Sequence, residues 1–275
     1  MRLCLVLINC LIAQFLFSQE PPKTTASSPE SPYVQREEKQ FNFFPGGKIE
    51  ILTGVPGSLK IVGWKKGSVR VEAEKIIYYE TPEKAKAFLQ KSPLRVRHNE
   101  TSVTIRAIAA PEPPAILEVN YTVYVPGEKT DIRAGVEKGE FSIEDINGWI
   151  EVTSKGGSIE AKSMAGYFSG NTLRGDIFVE MSGNHWNGLE FAAVTQQGSA
   201  NIRLPRKYDA ALQFETRNGK IIVDYPNQEV EGEEIPPEIL VRKTSQTLKA
   251  SVGDGGAPIK IASYSGDISL SLKEK

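Results

Sequence analysis

Trp149 and Tyr167 stand eighteen residues apart, each directly after a glycine. Large, stiff aromatic rings at a regular interval can stack on sugar rings or anchor a protein partner, provided the fold lines them up on an outer face. They are the candidate contact residues of this chain; the alternative is that neighbouring strands or a helix cover them. Other residue types promise less. Asp176, Asp224 and Asp267 fall at turns or strand ends. A polysaccharide lyase or hydrolase would need carboxylates clustered about one bond, or acidic calcium ligands beside a basic group. On an eighteen-residue coil none of the three is expected to stack on another. His98 and His185 each lack neighbours at zinc-ligand spacing. "GYFSG" at Gly166–Gly170 lacks the spacing of a serine nucleophile elbow. "GDGGAP" precedes a strand, so it offers no helix N-terminus to a phosphate. Calcium-built β-rolls repeat an aspartate at their turns. The residues after the repeat glycines here are Glu140, Trp149, Ser158, Tyr167 and Asp176, which form no acidic row. The expectation is a non-enzymatic protein with no catalytic residues, no metal site and no cofactor.

The 275 residues carry 33 basic and 34 acidic side chains. Without a basic excess or stripe, nucleic acid is not an expected partner. Arg2 and the apolar run Leu3–Phe17 are too short for a membrane span and read as a signal peptide over residues 1–18, cut near Ser18. An uncleaved anchor is the alternative, and membrane contact is expected only in that case. Cys4 and Cys10 both lie in this leader, so the exported chain would hold no disulfide or thiol nucleophile. Its stability must then come from packing and backbone pairing. Residues 19–40, rich in proline, serine and charge, read as a disordered linker. The expected location is the periplasm, the cell surface or the medium.

The elements that must position the aromatics begin near Phe41. Ile49 and Ile51, Leu59 and Ile61, then Val69, Val71 and Ala73 mark one face each of short strands. "TPEKAKAFLQKSP" predicts a helix over residues 82–91, capped by Thr81, with Pro82 in its first turn and Ala85, Phe88 and Leu89 on one face. A hairpin about Asn99-Glu100 and a long strand closed by Pro126 complete an N-terminal β-rich section, residues 41–130. From residue 131 a nine-residue pattern takes over, with glycine at 139, 148, 157, 166 and 175. Two positions after each stands Phe141, Ile150, Ile159, Phe168 or Ile177. One strand and one tight turn per unit, alternating between two sheets, predicts a two-sheet parallel β-solenoid of nine-residue half-coils over 131–275. Ordinary hairpins are the alternative. The register slips at Gly188, with Leu189, Phe191 and Ala193 read as the apolar face. Ile259, Ile261, Ile268, Leu270 and Leu272 are expected to close the domain.

"DINGWIEV" at 145–152, "GGSIEAKS" at 156–163, "RNGKIIV" at 217–223 and above all "GDGGAPIKIASYSGDISL" at 253–270 resemble the DUF4097 family, the putative adhesin domain. The resemblance spans roughly residues 41–272. It implies a bacterial, all-β protein associated with the cell envelope. An exported binding or scaffold module is the function expected, with envelope polysaccharide or a surface protein as partner. A carbohydrate-active β-helix enzyme and a self-associating structural protein are the alternatives.

Overall fold

The structure is a computed structural model and describes residues 32–108, 117–226, 230–232 and 245–273. The leader read over 1–18 and most of the linker read over 19–40 lie outside these residues. In chain order the strands of the first half are β1 (Tyr33–Asn42), β2 (Lys48–Leu52), β3 (Leu59–Trp64), β4 (Ser68–Ile77), β5 (Leu94–Asn99), β6 (Ser102–Ala107), β7 (Leu117–Pro126), β8 (Asp131–Val136), β9 (Phe141–Glu144) and β10 (Asn147–Ser154). The second half continues with β11 (Ile159–Lys162), β12 (Ala165–Arg174), β13 (Ile177–Glu180), β14 (Gly188–Gln197), β15 (Ala200–Leu204), β16 (Ala210–Asn218), β17 (Ile221–Asp224), β18 (Val230–Gly232), β19 (Gln246–Val252), β20 (Pro258–Ser265) and β21 (Ile268–Leu272). Helix α1 (Pro82–Lys91) joins β4 to β5.

The strands form two large sheets. A ten-stranded sheet runs β1-β4-β7-β3-β9-β11-β13-β15-β21-β17, and an eleven-stranded sheet runs β18-β19-β16-β20-β14-β12-β10-β8-β2-β6-β5. Both are mostly parallel, with antiparallel pairs at the ends. From β8 to β13, parallel partners differ by eighteen in number: Ile132 faces Ile150, which faces Phe168, and Phe141 faces Ile159, which faces Ile177. These side chains are buried, as are Ile49, Ile61, Val71, Ile202, Ile261 and Leu270, in one continuous core. Both sheets run through residue 131 without a break, because β2 pairs with β8 and β3 with β9.

The glycine schedule has a steric cause. Gly157 has φ +127°, which favours glycine, and a Cβ built there would lie 1.8 Å from the Gly139 carbonyl oxygen. The turns therefore stack backbone on backbone. Buried hydroxyls just inside the turns bond the glycine carbonyls: Thr172 to Gly157 at 3.0 Å, Thr195 to Gly175 at 2.8 Å, Ser263 to Gly198 at 2.8 Å and Thr216 to Gly266 at 2.8 Å. Helix α1 forms as its sequence predicts. The Thr81 hydroxyl accepts from the Lys84 N–H, and Ala85, Phe88 and Leu89 are buried.

Three expectations are corrected. Residues 33–40, read as linker, are strand: β1 pairs with β4 along ten residues. Its charges suit an edge strand, and inward-facing Glu37 meets the buried Lys75 ammonium at 2.5 Å. Lys75 also donates to the Ser92 carbonyl at the end of α1. Leu189, read as apolar face, is 70% exposed, because a register shift between Gly166 and Tyr167 bulges it out of the row that holds Phe191 and Ala193. The C-terminal strands β20 and β21 do not stack at the end of the sheets. They insert between β14 and β16 and between β15 and β17.

Candidate functional site

Strand β10 puts Ile150 and Val152 into the core, so Trp149 and Glu151 must point outward. Strand β12 does the same with Phe168 inside and Tyr167 outside. The parallel register sets Trp149 opposite Tyr167. Their rings stack with centroids 4.0 Å apart and planes 22° from parallel. Trp149 is 45% exposed; neither the N-terminal strands nor α1 covers it.

The stack is clamped from below. The Trp149 indole N–H donates to Glu151 Oε1 at 3.1 Å. The other carboxylate oxygen of Glu151 accepts from Arg133 Nε and Nη2 at 3.1 and 2.8 Å. Arg133 is the register partner of Glu151 on β8, again eighteen residues away. The Trp149 N–H first, and Arg133 second, hold the Glu151 carboxyl below its ordinary pKa. One indole face rests on Tyr167, the N–H is engaged, and the other face looks along the sheet toward β8. Glu151 and Arg133 were not singled out from the sequence, although their opposite charges at the repeat interval were the available signal.

On the β8 side of Trp149 lies a groove of about 480 Å³, floored by β2, β6 and β8. Lys48, Glu50, Asp131 and Arg133 stand along it. The ten-stranded sheet carries charged pairs such as Lys60–Glu144 and Lys162–Glu160, and its own aromatic stack of Trp64 on Tyr124, with centroids 5.3 Å apart.

The other residues weighed in the sequence are not brought together. Asp176 and Asp267 fall in one column but do not stack on each other, because Ser199 lies between them. Each is spent on its turn: Asp176 Oδ1 accepts the Ser199 N–H at 2.8 Å and Asp267 Oδ1 the Lys220 N–H at 2.8 Å. Asp224 ends β17 on a different edge. His98 stacks on Phe41 at 4.3 Å, and His185 Nδ1 lies 2.9 Å from Asn184 Oδ1. Ser169 sits mid-strand in β12. Among the described residues no three His, Cys, Asp or Glu side chains group to hold a metal. No described helix is long and apolar enough to cross a membrane.

No protein-family model matches the chain, and no curated protein matches it in sequence. Among solved structures it is similar to a putative cell adhesion protein from Clostridium sporogenes, at 14% identity and a TM-score of 0.43, covering 87% of this chain and 100% of that one. It is also similar to a putative adhesin from Bacteroides fragilis, at 10% identity and a TM-score of 0.28, covering 88% and 99%. A third is a putative lipid binding protein from Parabacteroides distasonis, at 11% identity and a TM-score of 0.29, covering 90% and 98%.

Proposed function

We propose that this chain is an exported, non-enzymatic binding module of the cell envelope, and that its contact surface is the outer face of the eleven-stranded sheet around Trp149 and Tyr167. The observation that carries the reading is the exposed, clamped stack of these two rings. An aromatic side chain that is already ordered loses little freedom on binding, so its contact area converts efficiently into affinity. The scaffold is read as a two-sheet parallel β-solenoid of nine-residue half-coils from residue 131 onward. The eighteen-residue offset between parallel partners supports that reading. Stacked backbone turns make such a scaffold stiff along its length, which suits a platform better than a closing active site. Use of Asp176 and Asp267 as turn acceptors favours binding over hydrolysis. Export rests on the leader of residues 1–18, and the partner is envelope polysaccharide or a surface protein.

The test is the double variant Trp149→Ala/Tyr167→Ala. Both side chains stand outside the core, so the melting temperature should stay within a few degrees of wild type while binding to isolated envelope material is lost. Unchanged binding by the folded variant would remove the surface from consideration.

A further inference from the structure

The free face of Trp149 forms one wall of the groove that crosses β8, β2 and β6. Two outward rows line it. Asp131, which precedes the Ile150 partner Ile132, stands beside Trp149, and Lys48 is the register partner of Asp131. In the next row Glu151, Arg133, Glu50 and Thr104 are successive partners. Three strand spacings separate Trp149 from the far side at β6, so the groove is about 14 Å long and runs across the strands. Its volume of about 480 Å³ lies in the range of small-ligand sites.

The two rows differ in how their charges are used. In the Glu151 row the charges are spent within the protein: Arg133 on Glu151 at 2.8 Å, and Glu50 on Arg106 at 3.3 Å. In the Trp149 row, Lys48 and Asp131 form no ion pair among the described residues, although they are adjacent and opposite in sign. One unspent acceptor group therefore stands one strand from the exposed indole, and one unspent donor group stands a second strand away in the same row. Together they carry no net charge.

We propose, on the basis of the binding surface assigned above, that the ligand is a neutral polysaccharide, with one pyranose ring stacked on the free face of Trp149 and its chain lying along the groove. A pyranose has an apolar C–H face and a rim of hydroxyls that both donate and accept. An indole face in one row with Asp131 and Lys48 matches both features. A polyanion would place like charge against the unpaired Asp131 carboxylate, whereas the hydroxyls of a neutral sugar can accept from Lys48 and donate to Asp131. Tyr167 backs the indole and fixes its angle.

The test uses the full exported chain and envelope material from the source cells in three portions: untreated, digested with protease, and oxidised with periodate, which cleaves vicinal diols. Wild type should bind the untreated and digested portions and lose the oxidised one. Lys48→Ala/Asp131→Ala should bind at least tenfold more weakly with an unchanged melting temperature. If binding survives periodate but not protease, and is still lost in Trp149→Ala/Tyr167→Ala, the surface stands and the polysaccharide proposal is overturned. Full binding by Lys48→Ala/Asp131→Ala also overturns it. If Trp149→Ala/Tyr167→Ala binds as wild type does, or wild type binds no portion, the surface itself is wrong and the proposal falls with it.

Discussion

A Cβ placed on Gly157 would fall 1.8 Å from the carbonyl oxygen of Gly139, and that oxygen is backbone, which cannot swing away. Gly157→Ala should therefore combine a strained φ with a steric displacement of the neighbouring coil, at about 3 kcal/mol or more. Gly183 has φ +75° but nothing within 4 Å of a built Cβ. Gly183→Ala should cost about 1 kcal/mol, the strain alone. Urea denaturation of the two variants checks the difference; equal losses would show that the close approach is not what requires glycine.

Face assignment is tested by neighbours in one strand. Ile159 is fully buried between Phe141 and Ile177, whereas Glu160 points outward and pairs with Lys162 at 2.7 Å. Ile159→Asp places an unpaired carboxylate in the core and should cost several kcal/mol, about 4 or more. Glu160→Lys removes one exposed pair and should change stability by about 0.5 kcal/mol or less. Thermal melts of both variants should separate clearly.

What could be read from sequence was what repeats locally. Alternation of Ile159, Glu160 and Ala161 reports a strand's two faces, and Thr81 with Pro82 reports a helix start, because both effects act within a few residues. The position of β20 and β21 between earlier coils depends on which strand edges are free when the chain closes. Ile259 or Ile268 carries no local mark of that. β1 was missed because its inward charge, Glu37, is satisfied by Lys75, thirty-eight residues away. At the site, the spacing of Trp149 and Tyr167 was legible, while the Glu151–Arg133 clamp came into view only with the register. Leu189 misled because one extra residue in β14 shifts a face.

The hydroxyls inside the turns should act individually. Thr195 Oγ1 donates to the Gly175 carbonyl at 2.8 Å, and Thr195 is fully buried. Thr195→Val keeps the shape and removes the donor, so it should cost about 1–3 kcal/mol. Thr195→Ser keeps the donor and should recover most of that loss. Guanidinium unfolding of the pair reads it; a serine variant as weak as valine would assign the effect to packing.

Burial pushes the Tyr121 phenol well above its ordinary pKa, with the Glu37 charge adding to the effect, and burial does the same to Tyr208. Below about pH 10 a tyrosine keeps its proton whether folded or unfolded. Above that, the unfolded chain releases protons that the folded chain holds, so stability should fall as pH rises. Neither hydroxyl has a hydrogen-bond partner among the described residues. Tyr121→Phe/Tyr208→Phe should therefore fold as stably as wild type at pH 7 and unfold at a higher alkaline pH. An unchanged alkaline midpoint, followed by circular dichroism, would assign the transition to other groups.

The central claim is that the outer face around Trp149 is the contact surface. The most direct measurement is the affinity of purified Trp149→Ala for isolated envelope material, set beside Tyr264→Ala. Tyr264 is 53% exposed on β20, a strand of the same sheet. Truncating a tryptophan at the centre of an interface costs about 2 kcal/mol or more. Trp149→Ala should therefore weaken binding by well over tenfold, while Tyr264→Ala binds as wild type does and both keep the wild-type melting temperature. Equal affinities for wild type and Trp149→Ala would contradict the account.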